Sequence, residues 1–366
     1  MRSRSSLYIG RVLTASLAMV ALAFASQAPL AGPQSSGQSG SKTAKPAVVQ
    51  DKVVNTAETT TCGAMAKYAP KCGALWGVYT LQDGNPEQSI RRLEAKVGRK
   101  FDITLRYHDF SDTLNQGQFP DVHERKVGPG SRLFISWQAR VSSTNTNLKW
   151  RAIANGTYDR FITSAATRVK AYGQPVFIGF DPEFDTGTSS NKGTPADYVA
   201  AYRHVWNVFK AKGVTNVAWA WVTSGYTVAG NGDKIMSGYP GDAYVDWVGY
   251  DPYNFYRCNG TAWKTFAEKA TPTYNWLISK GLGKKPFLLS EYGTQYDTAN
   301  ASRSNAWHAG IPAALKKLPN LKALIRFDAN GFFGAKKCNM YIRNGGTASL
   351  NSFAQAGSGV KAGLQF

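Results

Sequence analysis

The sequence is poor in the two residue types that most often bind transition metals. It contains four cysteines and four histidines among its 366 residues. There is no C-x-x-C arrangement and no histidine pair with ligand spacing, so we predict no zinc site. We assign no residues to another metal and expect no cofactor. Four cysteines allow three disulfide pairings. We predict a local pair, Cys62–Cys72, and a long-range pair, Cys258–Cys338, whose members follow the sixth and eighth predicted strands.

The sequence also lacks an apolar run long enough to cross a membrane. The run Val12–Phe24 has 13 residues, whereas a spanning helix needs about 18 to 20. A basic opening precedes this run and the small-x-small pattern Ala23–Ala25 ends it, which together predict a secretory signal peptide over residues 1–25. Residues 26–61 are mostly small and polar and are predicted to be a disordered linker. We therefore expect a secreted, extracellular protein with one folded domain over residues 62–366.

Acidic residues are scarce relative to basic ones. The chain has 43 Lys and Arg against 23 Asp and Glu, a formal net charge of +20. Nucleic-acid-binding proteins concentrate such charge in a stripe or a known module, but here it is scattered over predicted helices and loops. We interpret it as a solvated basic surface that could associate electrostatically with an anionic cell wall. We expect a monomer that binds no nucleic acid and has no membrane span.

Eight apolar strand-like runs alternate with amphipathic helix patterns along the predicted domain. Alternation of this kind predicts βαβ units and a parallel sheet, and eight units predict closure into a single (β/α)8 TIM-type barrel. The predicted helices are 86–97, 158–172, 195–212, 263–280 and 303–318, and no helix is evident after the fifth strand. The predicted strands are Leu75–Thr80, Asp102–Tyr107, Leu133–Trp137, Val176–Phe180, Val217–Val222, Val245–Tyr250, Phe287–Ser290 and Ala323–Phe327.

Two of these strands are followed by a glutamate. Glu183 comes shortly after the fourth strand and Glu291 directly after the seventh. Catalytic residues of such barrels lie at the carboxyl ends of the strands, and a pair of carboxylates is what glycoside hydrolysis requires. We predict that Glu183 is the acid/base, with a pKa raised by burial and by the charge of Glu291. Asp181 and Asp185 are competing carboxylates for this role.

Glu291 is predicted to be the nucleophile, kept ionised by a hydrogen bond from the hydroxyl of Tyr250 or Tyr253. Several aromatic and polar residues also stand near predicted strand ends. Aromatic rings cover the apolar faces of sugars, and polar groups bind their hydroxyls, so these residues predict a sugar-binding mouth. The candidates for substrate binding are His108, Trp137, Trp221, Tyr250, Asp251, Tyr253, Tyr292 and Phe327.

Four segments resemble glycoside hydrolase family 26, which contains β-mannanases and some β-glucanases and β-xylanases. The segments are Phe180–Asp185, Asn216–Trp221, Tyr239–Asp242 together with Val245–Tyr253, and Pro286–Gly293. The resemblance covers roughly residues 73–333. It implies a (β/α)8 catalytic domain, retaining hydrolysis of a β-linked polysaccharide, the acid/base at Glu183 and the nucleophile at Glu291.

One position departs from the family pattern. The family usually has a histidine directly before its acid/base glutamate, where this chain has Pro182. That histidine helps to organise the substrate subsite, so the change bears on mannan specificity. We expect a retaining β-glycanase of the β-1,4-mannan type. The alternatives are a β-1,3/1,4-glucanase or xylanase on the same scaffold, or a non-catalytic carbohydrate-binding or wall-associated protein.

Overall fold

Eight parallel strands form a closed barrel in the computed structural model, which describes residues 66–82, 85–111, 118–189, 191–226, 231–333 and 336–360. The strands pair in chain order, and β8 closes the ring by pairing with both β7 and β1. The predicted barrel is therefore confirmed. Its strands are β1 (Leu75–Thr80), β2 (Ile103–His108), β3 (Arg132–Trp137), β4 (Val176–Phe180), β5 (Val217–Thr223), β6 (Trp247–Tyr250), β7 (Phe287–Thr294) and β8 (Leu321–Asp328).

Strand β7 extends four residues beyond its predicted end at Ser290. Its pairing with β8 shifts register between Leu289 and Tyr292. A bulge of this kind changes which face of the sheet the following side chains point to. Glu291 therefore lies inside the strand, at the irregularity, and a short strand at Tyr253–Asn254 pairs with the end of β7.

Helices connect the strands, and their termini follow local sequence signals. Asn85 caps α1 by accepting a hydrogen bond from the backbone of Gln88, and Gly98 in the left-handed region ends it. Thr194 and Thr265 form capping boxes on α5 and α7. The helices are α1 (Pro86–Val97), α2 (Val122–Val127), α3 (Trp150–Ala154), α4 (Asp159–Tyr172), α5 (Pro195–Ala211), α6 (Asn231–Ser237), α7 (Phe266–Ser279), α8 (Ala301–Ala309), α9 (Ile311–Leu315) and α10 (Gly346–Gly359).

Two helix predictions were incomplete. The helix predicted over 303–318 is divided at Gly310 into α8 and α9, with Pro312 in the first turn of the second part. A short helix, α6, does follow β5, although the glycine-rich sequence there obscures its periodicity. Helices α2, α3 and α10 were not predicted.

The barrel separates two apolar cores. Side chains that point into the barrel, such as Leu105, Phe134 and Phe177, form the inner core, which Tyr68 and Ala69 close at the amino-terminal ends of the strands. Side chains of the opposite parity pack under the helices in a larger outer core. Because strand residues alternate between faces, each position near a strand end belongs to one core or to the other.

The Cys258–Cys338 disulfide links the loops after β6 and β8, as predicted. Cys72 is disulfide-bonded as well, and Cys62, its predicted partner, lies outside the described residues. The predicted signal peptide and linker also lie outside them. Within the described ranges, no helix combines the length and the apolar character that a membrane crossing needs.

Candidate active site

Glu291 projects into the barrel mouth, where tyrosine hydroxyls hold both of its carboxylate oxygens. Tyr253 donates to Oε2 over 2.6 Å, and Tyr107 donates a short hydrogen bond to Oε1. Burial raises the pKa of Glu291, and these two hydrogen bonds act in the opposite direction. Burial and the charge of Glu291 raise the pKa values of both tyrosines, so both stay protonated as donors. The pKa of Glu291 stays above its usual range because burial is the larger influence, and the two hydroxyl donors favour the ionised form.

Asp251 fixes the backbone beneath Glu291. Its Oδ1 accepts hydrogen bonds from the backbone N–H of Glu291, at 2.8 Å, and from the hydroxyl of Ser290. Its Oδ2 is buried and has no hydrogen-bond partner in the described part of the chain. Burial, followed by the charges of Glu291 and Glu183, raises the pKa of Asp251 well above its usual range. Asp251 therefore orients the β7 bulge, and the raised pKa favours its neutral form.

Glu183 stands on a constrained loop after β4. Both Asp181 and Glu183 have left-handed backbones, with φ of 43° and 55°. This conformation is unfavourable for residues other than glycine and tends to occur at functional sites. The backbone N–H of Glu183 donates to the carbonyl of Val222 over 3.2 Å, which ties the loop to β5.

The carboxylate of Glu183 is in a different environment from that of Glu291. No hydrogen bond among the described residues reaches its oxygens, although its own backbone carbonyl accepts one from Thr186. The pKa of Glu183 is raised well above its usual range. Burial is the largest cause, and the negative charges of Glu291 and Asp185 raise the pKa further. The site thus favours a protonated Glu183 beside an ionised Glu291.

The two neighbouring aspartates, which were competing candidates, are bound to protein donors instead. Asp181 accepts hydrogen bonds from the Trp150 indole and the Lys192 ammonium, both at 2.7 Å. Asp185 accepts two from Ser224, at 2.9 and 2.6 Å. Asp181 anchors the start of the loop and Asp185 its far side, which leaves Glu183 as the carboxylate available to a ligand.

Aromatic side chains surround Glu291 on the β1, β2 and β8 side of the mouth. Tyr79 stacks on Phe327 with ring centroids 5.2 Å apart and meets Tyr107 edge-on at 4.9 Å. Tyr253 contacts Phe327 at 5.9 Å in a T-shaped arrangement. Phe327, Tyr79 and Tyr107 are half-buried, so each keeps some exposed surface. Such a wall suits the apolar face of a sugar ring.

Five predicted substrate-binding residues lie on the outer face of the barrel, and these predictions need correction. The Tyr250 hydroxyl donates to the carbonyl of Ala270 in α7. Of the two tyrosines predicted to donate to Glu291, only Tyr253 does so. The others pack under helices, away from the mouth: His108, Trp137, Trp221 and Tyr292. The cause is parity, because each stands one residue away from an inward position, or beyond the bulge in the case of Tyr292. Asp251, Tyr253 and Phe327 do face the mouth.

Tyr79 and Tyr107 were missed, although the sequence contained a signal for both. Leu105 is inward and buried, so a period of two along β2 places Tyr107 inward and His108 outward. The same count along β1 from Leu75 reaches Tyr79. Proximity to a strand end alone does not distinguish the inward face of a strand from the outward face.

One cluster of potential metal ligands, His108, Asp121 and Glu124, occurs in the described residues. It already holds a cation, because Arg106 lies 3.3 Å from Glu124 and 3.8 Å from Asp121. Burial alone would raise the pKa of Glu124, but the charge and hydrogen bond of His108 and the charge of Arg106 lower it to about 2. The cluster therefore fits an internal ion-pair network that secures α2 against β2 better than a metal site.

A (β/α)8 barrel with one carboxylate after β4 and another in β7 is the arrangement expected of the active site of a glycosidase. A model of glycosyl hydrolase family 26 matches residues 184–328, which include Glu291 and begin directly after Glu183. The match covers 145 of the 366 residues and confirms, over this part of the barrel, the resemblance to glycoside hydrolase family 26.

Among curated proteins, endoglucanase H of Acetivibrio thermocellus is 30% identical over 226 residues, or 59% of this chain and 24% of that protein. Beta-1,3-xylanase TXYA of a Vibrio species is 26% identical over 168 residues, or 45% of this chain and 34% of that protein. The chain thus spans no more than about a third of the curated relatives it matches.

Solved structures share the fold at low sequence identity. A family 26 β-mannanase from Bacteroides ovatus superposes with a TM-score of 0.58 at 17% identity, covering 80% of this chain and 92% of the other. A modular endo-β-1,4-mannanase from Cellulomonas fimi gives a TM-score of 0.55 at 18% identity, covering 78% and 70%.

Proposed function

We propose that this chain is a retaining endo-acting β-glycanase that hydrolyses a β-linked polysaccharide of the mannan type. Glu183 is the acid/base and Glu291 the nucleophile. The observation that carries this assignment is the contrast between the two carboxylates. Glu291 accepts two hydroxyl donors, whereas Glu183 has no described donor and faces negative charge. Environments that separate two pKa values in this way assign the acid and the base of a catalytic pair.

In the first step, an ionised Glu291 oxygen attacks the anomeric carbon while Glu183 gives its proton to the glycosidic oxygen, which leaves as an alcohol. This step forms a glycosyl ester on Glu291 and breaks the glycosidic bond. In the second step, Glu183, now ionised, takes a proton from a water molecule whose oxygen attacks the anomeric carbon. The bond between that carbon and the Glu291 oxygen breaks, and Glu291 leaves as a carboxylate. Tyr107 and Tyr253 hold Glu291 in position for both steps. When the ester forms, Glu291 loses its negative charge and these hydrogen bonds weaken.

Mannan is favoured by the names of the structural neighbours, which are β-mannanases, while the curated relatives are named for other β-linked polymers. The second candidate is therefore a β-glucanase, supported by the 30% identity to endoglucanase H. Pro182 in place of the family histidine adds weight to this alternative, because it alters the residue beside the acid/base.

A polysaccharide panel tests both candidates. Mannan, glucomannan, lichenan and xylan are incubated with the protein and with a Glu291→Gln variant, and the products are separated by chain length. We expect mannan and glucomannan to yield short oligosaccharides with the parent protein and none with the variant. Exclusive turnover of lichenan would replace mannan by glucan. Binding without release of reducing ends from any polymer would favour the non-catalytic alternative.

Export is part of the proposal, because a polysaccharide of the mannan type is a substrate that the protein would meet outside the cell. The signal-peptide pattern of residues 1–25 supports it. Expression of the full chain in a secreting host, followed by amino-terminal sequencing, tests it. We expect the mature protein to begin near residue 26, and retention of the full chain inside the cell would contradict export.

A further inference from the structure

The barrel has two poles, and the mouth occupies one of them. In a (β/α)8 barrel the carboxyl ends of the strands form the catalytic pole, and the loops that lead from helices back to strands form the opposite pole. Tyr68 and Ala69 pack against the inner core at this second pole and close the barrel there. A ligand bound at that pole leaves the mouth free.

Exposed lysines occur on most of the connections at this second pole, and six of them stand at the helix ends and loops that lead into β7, β8, β1 and β2. These strands are neighbours in the barrel, so the loops form a continuous arc. We call it the basic arc and define it by Lys71, Lys96, Lys100, Lys284, Lys316 and Lys317, all of which are exposed.

Hydrogen bonds connect the loops of the basic arc to one another. The side chain of Asn320, before β8, donates to the carbonyl of Gly283, before β7, over 2.7 Å. Asp102, before β2, accepts a hydrogen bond from the backbone of Trp76 in β1 over 3.0 Å. The loops that carry the arc lysines are therefore held in fixed positions relative to one another.

Few carboxylates are available to neutralise this surface. Among the described residues, the exposed acidic side chains are Asp233, Asp242 and Glu268. Asp242 lies beside the arc, before β6, and is 3.5 Å from the ammonium of Lys285 before β7. Asp233 and Glu268 lie in the first turns of α6 and α7. The two acids that lie within the arc are half-buried and engaged. Asp102 pairs with Arg99 at 2.7 Å, and Glu94 accepts from the backbone of Phe101 at 2.9 Å.

We propose that the basic arc binds an extended anionic polymer that carries repeated phosphate groups, such as a phosphate-rich polymer of a cell wall. Lysine is a flexible point charge, and lysines spread over four loops suit repeated charges along a chain better than one bidentate ligand. The binding holds the protein at a surface while the mouth points to neutral polysaccharide.

Two other classes of polyanion fit less well. A membrane surface favours apolar side chains that insert between lipids, and of the large hydrophobic residues exposed in the described chain only Ile278 lies near this pole. Single-stranded nucleic acid favours aromatic stacking platforms, and Tyr226, the exposed aromatic among those residues, follows β5 at the mouth.

The test compares two variants with the same change in net charge. The arc variant carries Lys100→Gln, Lys316→Gln and Lys317→Gln, and the control variant carries Lys264→Gln, Lys336→Gln and Lys337→Gln, exposed lysines away from the arc. Binding of fluorescent poly(glycerol phosphate) is measured by anisotropy over a range of NaCl concentrations. Thermal unfolding of both variants establishes that they are folded.

We expect the arc variant to bind at least tenfold more weakly than the control at low salt. The slope of log K against log salt should fall by about two, since each lost lysine–phosphate contact releases somewhat less than one counterion. The Glu291→Gln protein should bind like the parent, which separates this proposal from the catalytic one. Equal loss in both variants, or tighter binding of anionic vesicles or single-stranded DNA than of the polymer, would overturn the proposal.

Discussion

The hydroxyl of Tyr107 offers the sharpest single-atom test of how the nucleophile is held. Replacing Tyr107 with Phe removes one donor to Glu291 and leaves the ring in place beside Tyr79. A hydrogen bond to a charged group contributes about 1.5–3 kcal/mol. We therefore expect kcat/KM to fall about 10- to 100-fold, because each 1.36 kcal/mol corresponds to about a factor of ten.

The pH profile carries the diagnostic part of this prediction. The hydrogen bond from Tyr107 lowers the pKa of Glu291. Its removal raises that pKa, so Glu291 becomes ionised only at higher pH and the acidic limb of kcat/KM against pH moves upward. A Tyr250→Phe variant is the matched control, since its hydroxyl donates to a carbonyl outside the barrel. It should lose about 1 kcal/mol of stability and keep the pH profile of the parent.

A loss of activity in Tyr107→Phe with an unmoved acidic limb would refute the assigned electrostatic role. So would an identical pH shift in the Tyr250→Phe control, because that hydroxyl does not contact the nucleophile. Circular dichroism and thermal unfolding of both variants show whether the comparison is between folded proteins.

Three further predictions concern the support of the site. Lys192→Met breaks a buried pair with Asp181 and should destabilise the fold by about 3–5 kcal/mol in denaturant titrations; an unchanged midpoint contradicts this. Cys338→Ser opens a loop of 80 residues and should lower the unfolding free energy by about 2–5 kcal/mol, with reductant then having little further effect at this bridge. Glu183→Gln should be more stable than the parent at neutral pH but not near pH 4, and equal differences at both would contradict it.

The sign of the last prediction follows from the raised pKa of Glu183 in the folded protein. Such a carboxyl binds its proton more tightly in the folded state than in the unfolded state. The folded protein therefore loses stability as pH rises from the ordinary pKa of a glutamate, about 4.3, towards the raised value. Glutamine cannot ionise, so the variant avoids this loss of stability at neutral pH. Below the ordinary pKa of glutamate the parent loses no stability in this way, and the variant has no advantage there.

The barrel could be predicted because its signals are local and repeated. Apolar runs such as Val176–Phe180 end at turn residues, and capped helices such as α1 follow them. Short helices escaped prediction because they lack two turns of periodicity, as in α2, which is fixed instead by the capping box of Asp121 and Glu124. The bulge in β7 depends on pairing with β8, which a single sequence does not specify.

The site could be predicted at the level of its strands but not of its faces. Glu183 and Glu291 were found from their place after apolar strands, and the structure brings them within electrostatic reach of each other. Gly293 illustrates a constraint that only the structure reveals. A Cβ there would lie 2.7 Å from the guanidinium of Arg326, which donates to the carbonyl of Tyr292 beside the nucleophile. The glycine allows a buried arginine to support the β7 bulge.

Identification of the residue that becomes covalently attached to sugar tests the central assignment most directly. The protein is incubated with an activated glycoside whose fluorinated sugar slows hydrolysis of the intermediate, then digested and mapped by mass spectrometry. We predict one added sugar on the peptide that contains Glu291, and none in Glu291→Gln. Attachment to Glu183 or Asp251, or turnover of the natural polymer by Glu291→Gln, would contradict the account.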